Sequence, residues 1–406
     1  MVSTHDRAPG AAQRIANAVT EVLGAPPPVR VRAWDGSVAG PEDGPELVLR
    51  SRRAVRHVLW RPGELGLARA YVSGDLDVEG DLQEGLRRAW SAPHRSLTLP
   101  AVLRAAAAGL RLGLAGPRPK VPAQEARLRG RLHTQRRDKD AIAHHYDLGN
   151  DFYRLVLDET MSYSCGWYRT DSDTLLDAQR AKLDLVCRGL GLRAGMRLLD
   201  VGCGWGALVL HAAREYGVRA TGVTLSKQQH AFVTARAAEL GVADRVTVEL
   251  RDYRDVRAEP FDAVASIEMG EHVGEGNYAE YLAVLRRAVK PGGPVVLQQM
   301  SRGGAPGGGA FIERYIAPDM TMRPLPKTLT HLENAGFEIQ RVRAMRTHYA
   351  RTIDAWAAEL ERNWDEVVAT VGVGWARVWR LYLAGAALAF ADNRMGVDQI
   401  LVTSPA

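Results

Sequence analysis

Residues 198–206 read Leu-Leu-Asp-Val-Gly-Cys-Gly-Trp-Gly, a short apolar run that breaks into closely spaced glycines. A buried strand followed by glycines predicts a strand-to-helix turn whose backbone approaches a ligand closely. The flanking sequence repeats the same alternation. MRLLDVG (196–202) leads into ALVLHAAREYG (207–217), VRATGVTLS (218–226), KQQHAFVTARAAELG (227–241) and RVTVEL (245–250). It continues through FDAVASIE (261–268), YAEYLAVLRRAV (278–289), PVVLQQM (294–300) and FEIQRVRAM (337–345), closing with DQILVTSP (398–405). Short apolar strands separated by amphipathic helices predict a doubly wound, Rossmann-like α/β sheet of about seven strands. Between its last two strands, TIDAWAAELERNWDEV (352–367) and WARVWRLYLAGAALAFADN (375–393) read as a Trp-rich helical insertion near 350–392, placed to roof a pocket or simply to pack.

The glycine spacing also selects a ligand. A dinucleotide fingerprint places its third glycine three positions after the second, where this chain has Ala207; Gly206 comes one residue early. S-adenosylmethionine fits better. It carries a sulfonium and an ammonium instead of a pyrophosphate, so an acidic Asp200 beside the turn makes electrostatic sense.

Around this domain the chain is less specific. Residues 1–125 hold apolar runs but no glycine-rich loop or catalytic cluster, and are expected to form a smaller accessory domain, with 126–406 as the methyltransferase domain. GPRPKVP (116–122) predicts a linker. No internal repeat or low-complexity tract appears. The three cysteines, Cys165, Cys187 and Cys203, have no disulfide or zinc spacing, so no metal is expected and a reducing cytoplasm fits. No secretory signal or membrane-spanning run is read in the sequence. The net charge of +6 suits nucleic acid or an anionic membrane. Its distribution is uneven: Arg104, Arg111, Arg118, Lys120, Arg127, Arg129, Arg131, Arg136, Arg137 and Lys139 crowd one stretch, which reads as a headgroup-facing surface or a solvated linker.

Taken in order, HHYDLGNDFYRLVLDETMSYSCGWY (144–168), LLDVGCGWG (198–206), GVTLSKQQ (222–229), RDYRD (251–255), EHVGEGNY (271–278) and HYARTIDAW (348–356) resemble the cyclopropane fatty acid synthase family. The front domain resembles that of the phospholipid-modifying members. The resemblance implies a class I methyltransferase fold and transfer of a methyl group from S-adenosylmethionine to the double bond of an unsaturated phospholipid. It implies a cytoplasmic enzyme, peripheral at the inner membrane face, whose partners include the membrane surface but not nucleic acid; a homo-oligomer is compatible with it. By matching motif, Tyr163 and Ser164 border the methionine part of the cofactor, and Gly202 and Gly204 its centre. Thr224, Leu225 and Gln229 follow the second strand, while Asp252 and Ile267 line the adenine and methionine regions.

Family members hold a bicarbonate base with a Cys, a Glu, a His and a Tyr. Cys165, Glu271 and Tyr349 match three of these. The fourth departs, because VVLQQM (295–300) puts Gln298 at the His position. SIEMGEHVG (266–274) likewise carries Glu268 and Gly270 where the family has Gly and Phe. A second anion beside bicarbonate would be repelled, which makes bicarbonate doubtful here. Glu268 is expected to replace it as the base, oriented by the Gln298 amide, unless Glu268 points to the surface at a strand end. These changes resemble the actinobacterial branch that makes methylene-branched, tuberculostearic-type precursors, which implies a separate flavin- or NADPH-dependent reductase as partner. A bicarbonate-using cyclopropane synthase and a catalytically silent lipid-binding module remain the alternatives. His272, His144 and His145 each read as site-bordering or structural.

Overall fold

The computed structural model describes residues 9–91, 103, 107, 109–110, 116–126, 134, 137, 148–257, 259–304 and 308–405. The chain divides into two compact units, Met1–Glu125 with Gly372–Leu388, and Ala126–Val371 with Ala389–Ala406.

In the first unit, strands β1 (Arg30–Arg32), β2 (Val38–Ala39), β3 (Glu46–Leu49) and β4 (Leu76–Glu79) form a small sheet in the order β2-β1-β3-β4. Its core gathers Val31, Leu49, Tyr71, Leu76 and Ala384. Arg69 grips Glu125 through two hydrogen bonds of 2.8 and 2.7 Å, both side chains buried. The expected insertion near 350–392 does not belong wholly to the methyltransferase domain. The helix Trp364–Ala391 is interrupted at Gly372 (φ 79°, ψ 154°), and beyond that break Arg377 donates to the carbonyls of Tyr71 and Leu76. Those bonds and the packing of Ala384 place Gly372–Leu388 in the first unit.

The second unit is a seven-stranded sheet. Its strands are β5 (Arg197–Val201), β6 (Arg219–Thr224), β7 (Val246–Leu250), β8 (Ala263–Ile267), β9 (Pro294–Ser301), β10 (Glu338–Ala344) and β11 (Gly396–Thr403), in the order β10-β11-β9-β8-β5-β6-β7. The strands β5 to β9 run parallel, and β11 lies antiparallel between β9 and β10. Alternation of side chains along a strand buries both faces. Leu199 and Val201 of β5 pack with Tyr281, Leu282 and Leu285 on one side, while Leu198 packs with Val186, Val209 and Val233 on the other. The helix Leu175–Gly189 starts with a full capping box between Thr174 and Asp177, which fixes its first turn and hence the side chains one turn further on. Among the described residues no helix is long and apolar enough to cross a membrane.

Of the basic stretch, only Arg118, Lys120 and Arg137 are described, and Arg137 is not a free surface charge. Its guanidinium holds Asp319 through bonds of 2.5 and 2.9 Å, with both side chains largely buried. Arg104, Arg111, Arg127, Arg129, Arg131, Arg136, Lys139, His144 and His145 lie outside the described residues.

Candidate active site

A cavity opens at the carboxyl ends of β5 to β8, where an open parallel sheet binds its ligands. Every residue expected to contact the cofactor lines it: Tyr163, Ser164, Asp200, Gly202, Gly204, Thr224, Leu225, Gln229, Asp252 and Ile267. Strand ends and turns explain the convergence. Gly202 and Cys203 donate their backbone N–H groups to the Val223 carbonyl, tying the glycine turn to β6. Thr224 donates its hydroxyl to Gln229 at 2.7 Å and so anchors the start of the following helix, Lys227–Glu239. Asp252 is paired with Arg254, bond lengths 2.8 Å, and caps the short turn after β7.

Asp200 differs from Asp252. It is buried at the end of β5, its Oδ1 has no hydrogen-bond partner, and burial pushes its carboxyl up to about 7 against the pull of Lys182. A buried, unsatisfied carboxylate on a cavity wall suits a cationic ligand. The ammonium of S-adenosylmethionine is such a group, and the methyl-bearing sulfonium it brings is the electrophile.

Glu268 follows directly on β8 and takes a left-handed backbone conformation, φ 53°. That conformation is strained for a residue other than glycine, and here it turns the carboxylate inward instead of over the strand end. Oε1 accepts the Cys165 N–H at 2.8 Å and the Gln298 amide at 3.0 Å, and Oε2 accepts the Tyr349 hydroxyl at 2.6 Å. Desolvation pushes the carboxyl up, while these donors and Lys182 favour its charged form. Gln298 is itself fixed: its amide oxygen accepts from Gln399 of β11 at 3.2 Å, which directs the NH2 group toward Glu268. Gln399 carries no local sequence signal, because it faces Gln298 only through the antiparallel register of β11 on β9.

Cys165 takes part through its backbone. Its thiol is buried, pushed well up by desolvation, and donates to the Gly166 carbonyl. Glu271 does not join the Glu268 hydrogen bonds. It is buried behind the wall with neither carboxylate oxygen in a hydrogen bond of normal geometry, and desolvation followed by the charge of Glu268 pushes it up to about 8. His272 lines the cavity. The helical insertion supplies no cavity-lining residue among those described; it backs the site instead, with the Trp356 ring tilted against Tyr163 at 5.2 Å between centroids and Tyr349 reaching Glu268.

The second altered position has a partner too. A side chain at Gly270 would start 2.2 Å from Oε1 of Gln299, which accepts the Tyr278 hydroxyl at 2.8 Å while its amide donates to Thr328. Glu268 therefore contacts Gln298, and the glycine at 270 leaves the space that Gln299 occupies.

Residues 133–400 match the family described as mycolic acid cyclopropane synthetase. The chain is 38% identical over 394 residues to a probable fatty acid methyltransferase of Mycobacterium tuberculosis, covering 93% of this chain and 91% of that one. It is 32% identical over 344 residues to the cyclopropane-fatty-acyl-phospholipid synthase of Escherichia coli K12, covering 84% and 83%. The crystal structure of a mycolic acid cyclopropane synthase complexed with S-adenosylhomocysteine and CTAB aligns with a TM-score of 0.62 at 32% identity, covering 65% of this chain and 98% of that one. Fold, cavity and likeness together define a class I S-adenosylmethionine-dependent methyltransferase. The chain belongs to the mycolic acid cyclopropane synthetase family.

Two outcomes follow from this geometry. Affinity for S-adenosylmethionine, measured by calorimetry, should rise as pH rises through about 7, where Asp200 ionises, and Asp200→Asn should weaken binding and flatten that dependence. Gly270→Phe should cost about 1–3 kcal/mol of stability by overpacking, read as a lowered unfolding midpoint, and adding Gln299→Ala should restore part of it.

Proposed function

We propose that this methyltransferase C-methylates the double bond of an unsaturated phospholipid acyl chain, with Glu268 as the base and a methylene-branched chain as product. The single observation that carries this reading is the Glu268 carboxylate, held on three sides by Cys165, Gln298 and Tyr349 while lining the cavity. Two of its partners, Cys165 and Tyr349, match residues to which the resemblance gives the holding of a bicarbonate, and Gln298 stands at the position of a third, which supports the carboxylate as its replacement.

An isolated alkene is a poor nucleophile, so the site has to align it with the methyl group and keep water from the developing cation. The alkene π pair forms the new carbon–carbon bond, and the sulfur keeps the pair of the bond that breaks. Positive charge then rests on the neighbouring carbon of the chain. Hydride migration moves it to the carbon bearing the new methyl group, and loss of a methyl proton to Glu268 leaves the exocyclic methylene. Gln298 suits this role because an amide donates to the carboxylate without competing for the proton. Tyr349 holds the other oxygen. A separate flavin- or NADPH-dependent reductase would saturate the product. The likeness to a relative named fatty acid methyltransferase at 38% identity supports acyl-chain chemistry, and the likeness to a synthase named for phospholipid supports the lipid class.

The acyl chain of a phospholipid is presented at a membrane, and the basic stretch is the surface proposed to meet it. Binding to anionic vesicles should then weaken steeply with salt, and joint neutralisation of Arg127, Arg129 and Arg131 should weaken it further. Binding indifferent to both would assign that stretch to a solvated linker. Glu268→Gln should reduce turnover about a hundredfold or more while leaving cofactor affinity nearly intact, and NMR of the wild-type lipid product should show vinylidene protons. A fully active Glu268→Gln enzyme, or cyclopropane protons in the product, would return the chain to the ordinary cyclopropane reaction.

A further inference from the structure

Lys182 lies in the helix Leu175–Gly189 and is almost completely buried, 2% exposed, yet it lines the cofactor cavity. Its ammonium donates to Ser164 Oγ at 2.9 Å, and one turn earlier Gln179 donates to the Ser164 carbonyl at 2.8 Å. Two side chains of one helix face therefore fix the residue that also borders the cavity. Burying a lysine is expensive unless opposite charge surrounds it. Burial lowers the Lys182 ammonium from its ordinary value, and the carboxyls that oppose this are Glu268 at the end of β8, Asp158 in the turn after the helix Asn150–Val156, and Asp200 at the end of β5; the Cys165 thiol in the following loop faces it uncharged.

The charges on the cavity wall sort into pairs and a remainder. Asp252 is held by Arg254, Asp319 by Arg137, and Arg251 by Glu249. Asp158 binds the Thr160 hydroxyl and backbone N–H. At the inner wall this leaves Asp200 and Glu268, with Lys182 as the cation common to both. Glu271, outside the cavity lining, feels the charge of Glu268 and, in the opposite sense, that of Arg323; His272 lines the cavity, and Tyr349 meets Glu268 from the helix Arg346–Arg362. S-adenosylmethionine brings one net positive charge. With Lys182 it balances the two carboxylates, and the balance persists when the charge passes to the acyl chain and leaves it as a proton on Glu268.

We propose that Lys182 is a positioning residue whose buried ammonium, anchored on Ser164, is the counter-charge that favours the ionised forms of Glu268 and Asp200 in the dry cavity. The inference rests on the reading of Glu268 as base. Removing the cation leaves both desolvated carboxylates without that counter-charge, so the carboxylate that must accept a proton shifts further toward its protonated form.

The test is the pH–rate profile of the full chain with S-adenosylmethionine and monounsaturated phospholipid vesicles. In Lys182→Met the acid limb, where activity rises as the base ionises, should move up by about one pH unit or more, a roughly tenfold loss on that limb. Infrared spectra at neutral pH should gain a protonated-carboxyl band in Lys182→Met that Lys182→Met/Glu268→Gln reduces. Ser164→Ala, which removes the anchor but keeps the charge, should shift the limb less and in the same direction, and it carries the test if Lys182→Met does not fold. Turnover lowered equally at every pH with an unmoved limb, or no new carboxyl band, would overturn the proposal. Failure of the base itself is separate: Glu268→Gln would then keep its activity, whatever Lys182 does. An inactive Glu268→Gln together with an unmoved Lys182→Met limb would keep the base and reject the counter-charge.

Discussion

The site depends on one carboxylate placed where carboxylates are costly. Glu268 sits against the cofactor cavity in a strained left-handed conformation, and three donors from distant parts of the chain converge on its two oxygens. Desolvation opposes the charge; the Cys165 N–H, the Gln298 amide, the Tyr349 hydroxyl and the Lys182 ammonium favour it. A carboxylate caught between those opposing effects is suited to take up a proton and release it again. Its surroundings require every donor to be rigid. Gln399 fixes Gln298, the Leu175–Gly189 helix fixes the Cys165 loop through Ser164, and Trp356, on the same helix as Tyr349, packs that helix against Tyr163 of the loop.

Much of this was legible in the sequence, and for physical reasons. Alternation of apolar strands with amphipathic helices specifies a parallel sheet whichever residues fill it, so the seven strands could be read from pattern alone. The glycine turn and Asp200 announce the cofactor because few side chains suit that close approach and that charge. Glu268 and Gln298 stood out as paired departures from a family pattern, thirty positions apart in the chain but adjacent in the sheet, where Ile267 registers with Gln298.

What stayed hidden lies in register and packing. Nothing local in DQILVTSP shows that β11 enters antiparallel between β9 and β10, so Gln399 could not be set beside Gln298. A lysine at position 182 reads as an ordinary polar helix residue until the loop bearing Ser164 is folded against it. Glu271 looked like a partner of the site's anion, whereas the structure leaves its carboxyl buried and without a hydrogen bond of normal geometry. The Trp-rich insertion reads as one helical segment, roofing a pocket or packing, and its sequence does not show that the break at Gly372 divides it between the two units.

The occupant of the base position can be read most directly from turnover of the wild-type enzyme in buffer stripped of bicarbonate, compared with the same buffer after bicarbonate is restored. A base built into the chain predicts equal rates under both conditions. A rate that collapses on stripping and recovers on addition would contradict it, and would make Glu268 a ligand of the base instead of the base.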